Sequence, residues 1–260
     1  MLSAFFRKFS GVQAVLSEKK DGSMKVFLER SEENQENRML YFARLGIPPE
    51  RVVSAGLVHG TRVEIITAHN VTDKVRPSII SNKGESRREK MKGAILPETD
   101  GLVTKEKNLF LAVTAADCLP VFFYDPIAGV VGIAHAGWRG IIAGVVTQTL
   151  EKMSECGATK ENISVAIGPH IRGCHFQIQT DILPQFSRYA RYVINRDGGI
   201  FVDLEGIARE QLRRSGIFEA RIETHSLCTF CEKERFFSYR RDKPEVPEVM
   251  VAVIGMQEKT

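Results

Sequence analysis

Cys118 and His135 stand at the ends of two short apolar runs joined by a turn. The segments are Thr114-Ala-Ala-Asp117-Cys118-Leu-Pro120 and Ala134-His135-Ala-Gly137-Trp138-Arg139-Gly140. A thiol and an imidazole brought together this way serve either as a nucleophile pair or as two thirds of a metal site. His59 ends an earlier β-like run, just before Gly60, where a side chain can project from a sheet edge. With it, three residues from separate elements make a His/Cys/His set that leaves a fourth position open for water or substrate. The bland alternative for a cysteine in an apolar segment is packing. The neighbours weigh against it, because Asp117 and Arg139 are charges embedded in apolar sequence, which is costly unless they are paired or used. Gly137 and Gly140 let backbone approach a ligand closely, and a helix after them would present N–H groups to an anion.

The other histidines and cysteines carry weaker signals. His170, after Gly168-Pro169, is a candidate for lining the same cleft, whereas His69 reads as solvent-facing and His225 as structural. Cys228-Thr-Phe-Cys231 has metal or redox spacing, yet no second CxxC completes a zinc site and no thioredoxin-like βαβ surrounds it. It reads as a structural or incidental pair. Arg240 and Arg241, after the aromatic Phe236-Phe237, suit anion recognition or ordinary ion pairing with Asp242. The phosphate-binding GxxxxGK[ST], dinucleotide GxGxxG, hydrolase GxSxG and HExxH motifs are missing, as is the H-x-E…P-C-x-x-C signature of zinc nucleobase deaminases.

Positioning these residues falls to a strand-rich chain. Gly11 to Leu16 reads as a first strand, which is preferred over a transit peptide in residues 1–17. Ser31 is placed to cap a helix reaching about Leu45, with Met39, Leu40, Phe42 and Ala43 on its apolar side. Val52–Val58, Val63–Thr67, Leu109–Thr114, Val121–Tyr124, Gly129–Ala134, Ile163–Ile167 and Val249–Ile254 read as strands. Ile141, Ile142, Val145, Val146, Leu150 and Met153 recur at helical spacing ahead of a stop at Gly157, and Asp203 caps a helix finishing near Gly216. Residues 78–93 are polar and basic and read as a mobile surface loop. Without strict βαβ alternation, an α+β class is favoured, and one domain over residues 1–260 is the simplest organisation.

Composition fits a soluble enzyme-sized domain. The 260 residues are 43% hydrophobic and 26% charged, with a net charge of +4, too small and too evenly mixed to argue for nucleic acid. No apolar run nears the roughly 18 residues of a membrane span. Five cysteines, an odd number, read as reduced thiols, so a cytoplasmic location is expected.

Together these motifs resemble the YfiH-type family, long labelled laccase-domain or polyphenol oxidoreductases and now read as purine nucleoside phosphorylases. The segments that carry the resemblance are Glu36-Asn37-Arg38, Val58-His59-Gly60, Asp100 to Thr104, Thr114 to Pro120, His135 to Gly140, Ile167-Gly168-Pro169, Cys228-Thr229 and Phe236 to Asp242. The resemblance implies packed mixed sheets flanked by helices. It implies Zn²⁺ on His59, Cys118 and His135, with Cu²⁺ as a substitute, and a phosphate or substrate role for Arg38. The implied reaction is phosphorolysis of adenosine, inosine and methylthioadenosine, with adenosine deamination as a side activity. Arg139 and His170 complete the candidate substrate and phosphate contacts. Lys19, Leu57, Gln177 and Glu248-Val249 depart from the family pattern and put substrate range in question. Competing readings are a copper oxidoreductase acting on phenols, a cysteine hydrolase using Cys118 and His135, and a non-catalytic metal-binding protein in cell-wall quality control.

Overall fold

The computed structural model describes residues 3–26, 32–67, 76–77 and 94–258. The cap expected at Ser31, His69 and the 78–93 loop lie outside the described residues. The chain begins with β1 (Ser3–Phe5) and β2 (Val12–Leu16), passes through α1 (Glu32–Arg44), and returns as β3 (Val52–Gly56) and β4 (Val63–Ile66). Short β5 (Arg76–Pro77) and β6 (Ala94–Pro97) precede β7 (Gly101–Thr104), β8 (Phe110–Ala115), β9 (Leu119–Asp125) and β10 (Val130–Ala136). Next come α2 (Trp138–Ala143), α3 (Val145–Glu155), β11 (Ser164–Ile167), β12 (Gln177–Ile178), β13 (Val193–Arg196) and β14 (Gly199–Val202). They are followed by α4 (Leu204–Arg214), β15 (Ile222–Thr224), α5 (Tyr239–Asp242) and β16 (Met250–Met256).

Two large mixed sheets dominate, one of seven strands in the order β1-β2-β16-β8-β3-β6-β5 and one of six in the order β15-β11-β9-β10-β7-β4. A small sheet, β12-β14-β13, shares no ladder with them but packs Ile178 and Val202 into the cluster of the six-stranded sheet. The large sheets face each other. Leu111 and Val113 of β8 and Ala252 and Ile254 of β16 meet Phe122 of β9 and Val131 and Ile133 of β10 in one apolar cluster. The alternate residues point outward: Phe110, Ala112, Val251 and Val253 pack under α1, while Val121, Phe123 and Val130 pack under α3 and α4. Both faces of each central strand are therefore covered, which is why these strands read as unbroken apolar runs rather than as alternating ones. The result is an α+β sandwich, as expected.

Three local expectations are corrected. The Gly11–Leu16 strand is not the first, because Ser3–Phe5 pairs antiparallel beside it. On α1 the buried residues are Tyr41 and Phe42, while Met39 and Leu40 are exposed at 48% and 64%. The single helix expected through Met153 is broken at Gly144, whose φ of 95° is left-handed, so that α2 closes and α3 restarts in a new direction.

Candidate metal centre

Strand register brings the three candidate ligands together. In the β9–β10 ladder Leu119 pairs with Ala136, and one step further along the same ladder Cys118 lies beside Gly137. In the β10–β7 ladder Ala134 pairs with Gly101, which sets His135 beside Asp100. His59 comes from the turn after β3, in the other large sheet, with a φ of 60° in the left-handed region that is uncommon outside glycine. Cys118 sits where the chain crosses from β8 in one sheet to β9 in the other. Its neighbour Asp117 also has a positive φ, 92°. That turn is fixed by the Asp117 carboxylate, which accepts from the Thr229 hydroxyl at 2.6 Å and the Arg240 N–H at 2.7 Å.

The ligand atoms of His59, Cys118 and His135 all lie within 4.8 Å of one another. Burial alone would push the Cys118 thiol up, but the His135 and His59 imidazoles draw it down to about 6. Burial alone would lower His135, but the Cys118 thiolate and the Asp100 carboxylate hold it up at about 9. A thiolate therefore forms at neutral pH, as a soft metal ligand requires. A Cβ on Gly137 would lie 2.9 Å from His59 Nδ1 and 3.1 Å from Cys118 Sγ, so any other residue there would fill the space between the ligands. A His/Cys/His donor set at this spacing, with the cradle kept open by glycine, fits zinc bound through three protein ligands.

Asp100 is the residue that sequence reasoning missed. Fully buried, it accepts from the N–H groups of His59 at 2.9 Å and Gly60 at 2.7 Å, and its Oδ1 lies 3.0 Å from His135 Nδ1. Its carbonyl also accepts the His135 backbone N–H at 2.8 Å. Burial would raise this carboxyl, yet the His135 ring and the N–H groups of Gly60 and Val58 hold it below the ordinary carboxylate range. A carboxylate on Nδ1 commits Nε2 to the ligand side, the usual support of a metal-bound imidazole.

The other candidates make contacts of their own. Arg38 donates to the Met24 carbonyl at 3.1 Å and the Ser54 hydroxyl at 3.0 Å, and burial lowers its pKa to about 10. Among the described residues it has no carboxylate partner. Arg139 is exposed and stacks over Trp138, 4.3 Å from the ring centroid. His170 is 1% exposed, with Nδ1 at 2.8 Å from the Gly168 carbonyl and Nε2 at 3.7 Å from Glu205. It is not among the trio. His225 packs edge-on against Phe5, in keeping with a structural role. Arg241 is held by both oxygens of Asp242 at 2.7 Å and by three backbone carbonyls, so ion pairing rather than anion recognition describes it. Cys228 and Cys231 are not an incidental pair, since Cys174 and His175 join them in a second cluster.

A family model described as multi-copper polyphenol oxidoreductase laccase matches residues 3–257, and the chain belongs to that family, the laccase-domain or YfiH family. Purine nucleoside phosphorylase YlmD of Bacillus subtilis (strain 168) is 33% identical over 192 residues, which take in 66% of this chain and 66% of that protein. The match thus spans slightly less than two thirds of that relative's length. Adenosine deaminase RL5, from an unknown prokaryotic organism, is 29% identical over 78% of this chain and 75% of its own. The crystal structure of YlmD from Geobacillus stearothermophilus is similar with a TM-score of 0.82 and 28% identity, covering 97% of this chain and 94% of that one. No helix among the described residues is long and apolar enough to cross a membrane.

Proposed function

We propose that the protein is a zinc-dependent purine nucleoside phosphorylase. It would convert adenosine, inosine or methylthioadenosine and phosphate to the free base and a ribose 1-phosphate, with adenosine deamination as a side activity. The observation that carries this is the Asp100-supported His59/Cys118/His135 cluster, kept open by Gly137. The relatives' printed names, a phosphorylase and an adenosine deaminase, support the same reading.

In phosphorolysis the bond from ribose C1′ to the purine nitrogen breaks and its electron pair leaves with the base. A phosphate oxygen closes on C1′, and the proton of hydrogen phosphate ends on the purine, so atoms and charge balance. His59, Cys118 and His135 would hold zinc, which when bound supplies a Lewis acid that orients an anionic oxygen and offsets developing negative charge. Asp100 keeps His135 in the tautomer that binds. Arg38 carries a positive charge with no carboxylate to offset it among the described residues, and exposed Arg139 adds a second, so both suit phosphate. Copper, the metal in the family's description, would also accept this donor set, and elemental analysis of the purified protein separates the two metals.

The test is hypoxanthine release from inosine followed against phosphate concentration, for the wild type beside Cys118→Ala. Release should depend on phosphate and fall by more than about 100-fold in the variant. Release indifferent to phosphate, or surviving the substitution, would sink the proposal.

A further inference from the structure

Cys174 and His175 lie in the turn between β11 and β12, and Cys228 and Cys231 lie in the turn after β15. The two turns meet. Cys174 Sγ is 3.9 Å from Cys231 Sγ, and His175 Nδ1 is 3.2 Å from Cys174 Sγ and 3.3 Å from Cys231 Sγ. All four ligand atoms, including Cys228 Sγ, lie within 4.8 Å of one another. Tetrahedral zinc, bonded to sulfur at about 2.3 Å and to nitrogen at about 2.0 Å, sets sulfur–sulfur edges of about 3.8 Å and nitrogen–sulfur edges of about 3.5 Å. The closest separations here are those of such a tetrahedron.

The surroundings also suit a metal-bound thiolate. Cys228 is buried, and its turn is closed by the Glu232 N–H, which donates to the Cys228 carbonyl at 3.0 Å, and the Lys233 N–H, which donates to the Cys231 carbonyl at 3.0 Å. A closed turn of this kind holds Cys228 and Cys231 on one side of the cluster. The His175 ring is stacked on Phe230 with centroids 4.1 Å apart and planes 14° apart, which sets the plane from which Nδ1 reaches the two sulfurs.

We propose that Cys174, His175, Cys228 and Cys231 form a second zinc site, closed by four protein ligands and therefore structural rather than catalytic. It ties the β11–β12 turn to the turn that follows β15. That second turn is the one whose Thr229 hydroxyl holds Asp117, the neighbour of Cys118, and whose Thr229 N–H donates to the His170 carbonyl at 3.0 Å. Zinc here would anchor the support of the Cys118 turn without touching substrate. The site is independent of the proposed activity.

The experiment compares reduced full-length wild type, Cys118→Ala and Cys231→Ser after zinc loading and desalting, and again after exchange with cobalt. The wild type should hold about two zinc ions per chain and each variant about one. Cobalt in Cys118→Ala should give a sulfur-to-metal charge-transfer band about three times as intense as that in Cys231→Ser, reflecting three thiolates against one. The wild type and Cys118→Ala decide the matter even if Cys231→Ser does not fold. A single zinc per wild-type chain that Cys118→Ala removes would overturn the proposal. So would a Cys174–Cys231 disulfide, mapped by peptide mass spectrometry, that forms equally with and without excess zinc.

Discussion

At the scale of single residues, Asp100 binds the site together. Its carboxylate receives the turn that carries His59 and the ring of His135 at once. Asp100→Asn keeps the shape but removes the charge and one acceptor, so zinc affinity should fall by about 10- to 100-fold, measured by competition with a chromophoric chelator. The Cys118–His135 pair makes a separate prediction. Because the imidazoles favour the thiolate, Cys118 in chelator-stripped protein should reach half-maximal alkylation near pH 6, followed peptide by peptide by mass spectrometry. His135→Ala removes the nearest cation, so the midpoint should move up toward the ordinary thiol range. An unshifted midpoint would mean that the pair does not interact. His59, Cys118 and His135 were legible in the sequence because imidazoles and a thiol at the ends of apolar runs are costly to ignore. Asp100 stands in a segment that carries the family resemblance, but its role was not legible, because only the β7–β10 register reveals its partner.

At the scale of elements, the strands were legible because covered faces demand apolar residues on both sides. What misled was periodicity. Ile141, Val145 and Val146 keep helical spacing across Gly144, so the pattern runs smoothly through a left-handed break that only the backbone shows. On α1 the spacing marks several apolar residues, yet the seven-stranded sheet takes only Tyr41 and Phe42. Capping is a firmer signal. Asp203 accepts from the Gly206 N–H at 3.0 Å at the start of α4, as expected. Asp203→Ala should lower stability by about 1 kcal/mol in urea unfolding while leaving zinc content unchanged. A loss of zinc instead would show that α4 supports the metal centre more closely than its contacts indicate.

At the scale of the whole molecule, the metal cluster forms where the chain passes between two facing sheets. The turn after β3 of one sheet supplies His59, β10 of the other supplies His135, and the crossing from β8 to β9 supplies Cys118. Such convergence of distant segments has no local signature, which is why Cys174 and His175 could not be linked to Cys228 and Cys231 from the sequence. Two of the departures from the family pattern, Lys19 and Glu248, line one groove of about 360 Å³ with Ser23, Asn34 and Phe237. Arg38 donates to the carbonyl of Met24, next to Ser23. None of the departures falls on His59, Cys118 or His135. The cluster is proposed to serve transfer of a ribosyl group to phosphate. Phosphorus NMR of zinc-loaded protein with inosine and phosphate tests it most directly. A ribose 1-phosphate signal should grow in step with hypoxanthine. Hypoxanthine accompanied by free ribose, with inorganic phosphate unchanged, would contradict it.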